Sequence, residues 1–344
     1  MKAKEFFRRN PYTAILLAFM AIVLLIFTFT KGGTFWQLGT WNGILMQFPE
    51  FGVMVIGTMF CFLIGCIDMS FVMLGNFATI CGVSYILANT TEGMSDGQVM
   101  GVLVVAFFIV CAIGAVGGII NGILVSKLGI PPVIATIAMQ MVWLGLSTGI
   151  TNGETLSLNK VPLYAEIGHS TVLGFIPFPL FVFILIFIIA FLILRFTTYG
   201  RKLYMCGTNR KAAKFSAINT DRMIIVTFVI ADVICCIGSM LMVSTLNSAK
   251  ADSGESYVMK IILILVLAGI LPDGGIGKMG NLIFSILIIQ IITSGVNMFS
   301  DLNTYHGSFI YGGLLIVVLI LSTFLTGDKF RIRKKPKKSA SPTS

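Results

Sequence analysis

Long apolar runs broken by short polar intervals repeat along almost the whole chain. They fall at about 11–29, 42–64, 71–88, 99–125, 131–150, 176–196, 223–246, 258–271, 279–299 and 308–325. A hydrocarbon core about 30 Å thick needs roughly 20 apolar residues per helix, so the pattern predicts about ten transmembrane helices. The fold class expected is all-α and polytopic, with a transmembrane domain over 11–326. Two places depart from simple hairpins. The second run reaches Gly65 and the third starts almost at once, and the run 258–271 is short and ends in Pro272, Asp273, Gly274 and Gly275. Both predict short or broken helices, whose free backbone groups must be satisfied inside the protein.

The longest polar interruption is 197–222, which holds Arg201, Lys202, Arg210, Lys211, Lys214 and Arg222 against the single acid Asp221. Basic loops stay in the cytoplasm. With an even number of crossings both termini fall on that side. Of the 24 Lys and Arg residues, only Lys31, Lys160, Lys250 and Lys260 then lie outside. Segment 1–10 becomes a cytoplasmic start, and 327–344 a basic cytoplasmic tail expected to be disordered beside anionic lipid headgroups. Within the loop, 209–218 reads as one short helix capped by Thr208 or Asn209, with Ala212, Phe215 and Ser216 on one face. That face suits a partner groove, and a solvated connector is the alternative.

Composition narrows the function. At 56% hydrophobic and 11% charged residues the chain is no soluble domain. The net charge of +10 sits in short clusters beside apolar runs, which argues for topology and against nucleic acid. The seven cysteines lie mostly in apolar runs, where they act as small hydrophobes. His169 and His306 lack a Glu or Cys set nearby, so no metal is expected and no cofactor either. There is no Gly-x-x-x-x-Gly-Lys-Ser/Thr loop and no nucleophile with a base, so there are no catalytic residues to name. The chain is expected not to be an enzyme; if ATP drives it, another chain hydrolyses the ATP.

Polar residues inside apolar runs are the remaining candidates. Asp68, with Ser70 two residues on and Gly65 before it, reads as a helix cap at the break, with substrate contact as the alternative. Asp232 sits mid-run, where a charge is costly, and reads as a structural acid or a proton-coupling one. Asn76, Asn121, Gln140, Gln290 and Asn297 either line a polar pathway or tie helices together. Gly114, Gly118 and Gly122, four apart, predict a close helix contact.

Four ordered stretches resemble the permease subunits of bacterial ABC importers of the ribose, simple-sugar and autoinducer-2 type. The first is Gly65, Ile67, Asp68 and Ser70. The second is Asn121-Gly122 followed by Pro131-Pro132-Val133-Ile134-Ala135-Thr136. The third is Gly200-Arg201, Tyr204, Gly207, Asn209, Ala212-Ala213, Ser216 and Asn219. The Gly-rich turn after 271 is the fourth. Thr208, Arg210 and Lys211 depart from the family's usual Gly, Pro and Glu, and Cys66 and Val72 replace two glycines. The resemblance, which spans about 44–321, implies a bacterial inner-membrane protein with three kinds of protein partner: a cytoplasmic ATP-binding subunit, an extracytoplasmic solute-binding protein and a second permease subunit. It implies that Gly200, Arg201, Gly207, Asn209, Ala212, Ala213, Ser216 and Asn219 belong to a coupling loop that meets the ATPase, and that 151–174 faces the binding protein. The solute expected is a sugar or sugar-like compound. A proton-coupled secondary transporter and an ABC permease for nucleosides or amino acids are the alternatives.

Overall fold

The computed structural model describes residues 11–91, 93–172, 174, 176–299 and 309–318. The segment 1–10, His306 and the tail 327–344 lie outside the described residues. Eight helices are long and apolar enough to cross a membrane. They are α1 (Pro11–Phe35), α2 (Leu38–Leu63), α3 (Phe71–Asn89), α4 (Asp96–Ser126), α5 (Pro132–Thr151), α7 (Phe178–Phe196), α10 (Thr220–Leu246) and α12 (Met279–Val296). Two shorter apolar helices, α11 (Tyr257–Leu267) and α13 (Phe309–Val318), complete the set of ten that the hydrophobic runs predict. The fold is all-α and polytopic.

The remaining elements are small. Between α5 and α7 lie β1 (Leu156–Ser157), α6 (Pro162–His169), β2 (Thr171–Val172) and β3 (Ile176–Pro177). β1 pairs antiparallel with β4 (Ser248–Ala249), and β2 with β3. The 151–174 connector is therefore a folded platform rather than an open loop. Helix α1 is longer than its apolar run predicts, because it continues past a kink at Lys31 (φ −139°, ψ 30°).

Helix α10 is the centre of the bundle and packs on α4, α2 and α3. The Gly114–Gly118–Gly122 stripe of α4 explains how it fits there. A Cβ at Gly118 would lie 2.6 Å from the Val229 Cα, and one at Gly122 would lie 2.6 Å from the Ile225 Cα. Only hydrogen at these positions lets the two backbones meet. Helix α2 is buried along most of its length, from Phe48 through Leu63. Such burial marks the middle of the protein rather than its lipid face.

Candidate functional site

The polar interval 197–222 folds into two helices instead of the single one expected. They are α8 (Thr198–Thr208) and α9 (Arg210–Phe215). Three side chains start the turns. Thr197 Oγ1 accepts from Gly200 N (3.1 Å), Asn209 Oδ1 from Ala212 N (3.0 Å) and Asn219 Oδ1 from Arg222 N (2.9 Å). Each satisfies an amide that a helix start leaves open. Gly200 lets α8 fold back on the end of α7, since a Cβ there would lie 2.7 Å from the Ile193 carbonyl oxygen. Helix α9 stops three residues before the expected 218 because Ala217 turns left-handed (φ 58°) and Ile218 N returns to Ala213 O at 3.1 Å. That is a Schellman-type closure.

The face of α9 is now defined. Ala212, Phe215 and Ser216 are exposed, Phe215 to 93%. Ala213 faces inward and is only 2% exposed, so it supports the loop from below. Arg201 and Lys202 add exposed charge on α8. A groove of about 400 Å³ lined by Tyr199, Lys202, Asn219 and Arg222 runs beside them. Burial pushes the Cys206 thiol up, with Arg210 opposing, so it stays a neutral group.

The break at 64–70 is non-helical and lies among other helices, as expected. Asp68 does not bond the first helical amide of α3. Its Oδ1 instead accepts from Ser70 N and Ser70 Oγ, both at 2.8 Å, and so fixes the turn before the helix. Two neighbours hold the turn in place. Asn121 Nδ2 on α4 donates to Ser70 Oγ (2.8 Å) and to Asp232 Oδ2 on α10 (3.3 Å). Thr136 Oγ1 on α5 accepts from Met69 N (3.1 Å). Asp68, Ser70, Asn121 and Asp232, scattered over 165 positions of sequence, thus form one buried cluster against three spanning helices.

Comparison with known proteins matches residues 40–319 to the family described as "Branched-chain amino acid transport system / permease component". The chain belongs to this permease family. The permease is 27% identical to the ribose import permease protein of Haemophilus influenzae over 91% of its own length and 94% of that protein. It is 31% identical to the ribose import permease protein of Bacillus subtilis, over 81% and 82% of the two chains. A fructose import permease protein of Rhizobium meliloti is 24% identical over 93% and 87%. No solved structure matches the chain significantly. The permease is a multi-pass membrane protein and a component of a transport system.

The polar residues inside the helices mostly spend their bonds within the permease. Asn76 Nδ2 donates to Ala251 O (3.0 Å) and Ser253 O (2.8 Å), and so ties α3 to the loop before α11. Gln290 Nε2 donates to Gln47 Oε1 (3.1 Å), tying α12 to α2. Asn297 is exposed at the end of α12 and Gln140 is half-buried. No group of three metal-ligating side chains occurs among the described residues.

One buried cluster escaped the reading of the sequence. Glu50 on α2 accepts from Tyr257 Oη at 2.9 Å. Lys260 on α11 places Nζ 4.4 Å from the Phe51 ring centre and 5.2 Å from that of Tyr257. Lys260, counted by its charge among the residues on the outer side, is buried among aromatics, with the Glu50 carboxyl as a nearby opposite charge. The signal was available. Glu50 is an acid inside an apolar run, and the rule that singles out Asp232 applies to it equally.

Proposed function

We propose that this chain is the membrane-spanning subunit of an ATP-driven, binding-protein-dependent importer, and that its solute is a sugar or sugar-like compound. The solute class rests on the relatives, whose names specify ribose and fructose import. The observation that carries the mechanism is the capped helix α9 with its projecting Phe215. A nearly bare aromatic ring flanked by Lys211 and Lys214 is costly in water and well suited to a complementary groove.

In this reading α9 docks on a cytoplasmic ATP-binding subunit, which hydrolyses the ATP. A second permease subunit, identical or related, completes the pathway. The β1–α6–β3 platform receives the solute-binding protein on the other side. Both termini face the cytoplasm of a bacterial inner membrane, where the basic tail meets lipid headgroups. Residues 200, 201, 207, 209, 212, 213, 216 and 219 divide into surface (Arg201, Ala212, Ser216), caps (Asn209, Asn219) and packing (Gly200, Gly207, Ala213). The proton-coupled alternative would use Asp232 as its acid: Oδ2 accepts from Asn121, while the buried Oδ1 has no partner among the described residues, so the Asp232 variants below decide between the two readings.

The test is Phe215→Glu in the full complex. The variant should insert and purify as the wild type does but lose its ATP-binding subunit on co-purification. Retention of that subunit at wild-type yield would reduce α9 to a connector.

A further inference from the structure

Three stretches far apart in sequence meet backbone to backbone beside α9. They are the break 64–70, the C-terminal end of α8 and the Gly-rich turn 272–277. Gly275 N donates to Leu63 O at 2.8 Å. A Cβ on Gly207 would strike the Leu63 carbonyl oxygen and come within 2.5 Å of Gly275 N. A Cβ on Gly274 would lie 2.7 Å from Gly65 N and 3.0 Å from Gly207 O. Gly65, Gly274 and Gly275 all have positive φ, at 77°, 82° and 74°. Two side chains brace this joint. Tyr204 Oη donates to Gly277 O (3.2 Å), and Arg210 Nη2, on the first residue of α9, donates to Cys66 Sγ (2.8 Å).

We propose that this joint is the route by which movement of the α8–α9 loop reaches the membrane helices, with Gly207 and Cys66 as positioning residues for transport. The proposal rests on the coupling role given to the loop above. Its physical basis is stiffness. No flexible side chain separates α8 from the break or from the turn, so displacement of one backbone displaces the other two. The left-handed glycines supply backbone conformations that other residues rarely adopt, which lets the break and the turn bend at fixed points. Beyond the joint, Ser70 and Met69 pass the displacement to α4 through Asn121 and to α5 through Thr136. Asn121 carries it on to α10. Helices α2, α3, α4, α5 and α10 are thereby tied to one short loop.

The experiment uses the assembled complex in lipid vesicles, with ATP as the only added ligand. Nitroxide labels are placed singly at Lys211 in the loop and at Asp252 at the opposite end, in a background whose native cysteines are serine. Distances between subunits are read with and without ATP. Against Cys66→Ser, which keeps a hydrogen-bond acceptor for Arg210, both Cys66→Ala and Gly207→Ala should retain the ATP-binding subunit and the ATP response at position 211. The response at position 252 should fall several-fold in both. If Gly207→Ala does not assemble, the Cys66→Ala and Cys66→Ser pair decides alone, since it differs by a single hydroxyl. An unchanged response at 252 in Cys66→Ala overturns the joint as a transmission route. A loop label silent to ATP in the serine background, or a complex that never retains its ATP-binding subunit, removes the coupling-loop reading itself and the joint with it.

Discussion

Asn121 reaches across to Asp232, amide nitrogen to carboxyl oxygen at 3.3 Å, and so joins α4 to α10 at a point that no solvent reaches. The same nitrogen holds Ser70 at 2.8 Å. One amide therefore clamps two spanning helices to the break at 64–70.

Replacement of Asp232 separates structure from proton coupling. Asp232→Asn keeps an oxygen for Asn121 and adds an amide N–H that can face the neighbouring Asp68 carboxyl, whose Oδ2 has no donor among the described residues. Transport should remain near wild type. Asp232→Leu leaves Asn121 and Asp68 short of partners in an apolar interior, at a cost of about 1–3 kcal/mol. Thermal unfolding of the purified protein should show the loss for Leu and not for Asn. Failure of transport in a well-folded Asn variant would favour a proton-coupled carrier.

The α4–α10 contact gives a second prediction. Gly118→Val puts carbon 2.6 Å from the Val229 backbone and must force the helices apart. Overpacking of this kind typically costs about 1–3 kcal/mol. Gly101→Ala, on the same helix, would meet nothing within 4 Å and serves as the control. Parallel thermal unfolding of the two variants checks it, with a lowered midpoint expected for Gly118→Val alone.

How much of this was legible beforehand depends on range. The apolar helices were readable because each is a local hydrophobic run, eight of them long enough among the described residues to cross the bilayer, and the cap Asn209, offered beside Thr208, because a cap acts within three residues; the Asn219 cap was not read. The glycine stripe was readable as a contact surface, but its partner α10 was not. Which way Ala213 points is set by the packing of α9 on the rest of the chain, and spacing within the loop carries no trace of that. The three-way joint and the Asp68–Ser70–Asn121–Asp232 cluster were legible only as separate stretches. Their meeting depends on the tertiary fold.

Asn209 gives a local test of the loop. Asn209→Ala removes the oxygen that accepts from Ala212 N and should cost about 1 kcal/mol of helix stability. Hydrogen exchange over 210–216 should speed up while the spanning helices stay protected. Asn209→Asp, which keeps the acceptor, should restore slow exchange.

Orientation can be measured at described positions. The Lys and Arg asymmetry puts Lys211 in the cytoplasm and Asp252 outside. In a background without native cysteines, an impermeant thiol reagent added to intact cells should label Asp252→Cys and spare Lys211→Cys. The reverse pattern would invert the whole topology.

The Glu50–Lys260 cluster supports a prediction about sign. Both side chains are buried, and each is the other's opposite charge at the α2–α11 contact. Lys260→Met removes the cation from the Phe51 and Tyr257 rings and leaves Glu50 with Tyr257 as its hydrogen-bond donor. Glu50 and Lys260 make no direct ion pair, yet removing one of two mutually attracting buried charges leaves the other without its counter-charge, whereas removal of both is often neutral. Glu50→Gln combined with Lys260→Met should therefore be more stable than Lys260→Met alone, since Gln still accepts from Tyr257 and carries no charge. Unfolding midpoints of the two single variants and the double variant measure this directly. A double variant no more stable than Lys260→Met would show that the aromatic contacts of Lys260, and not its attraction to Glu50, hold α11 against α2.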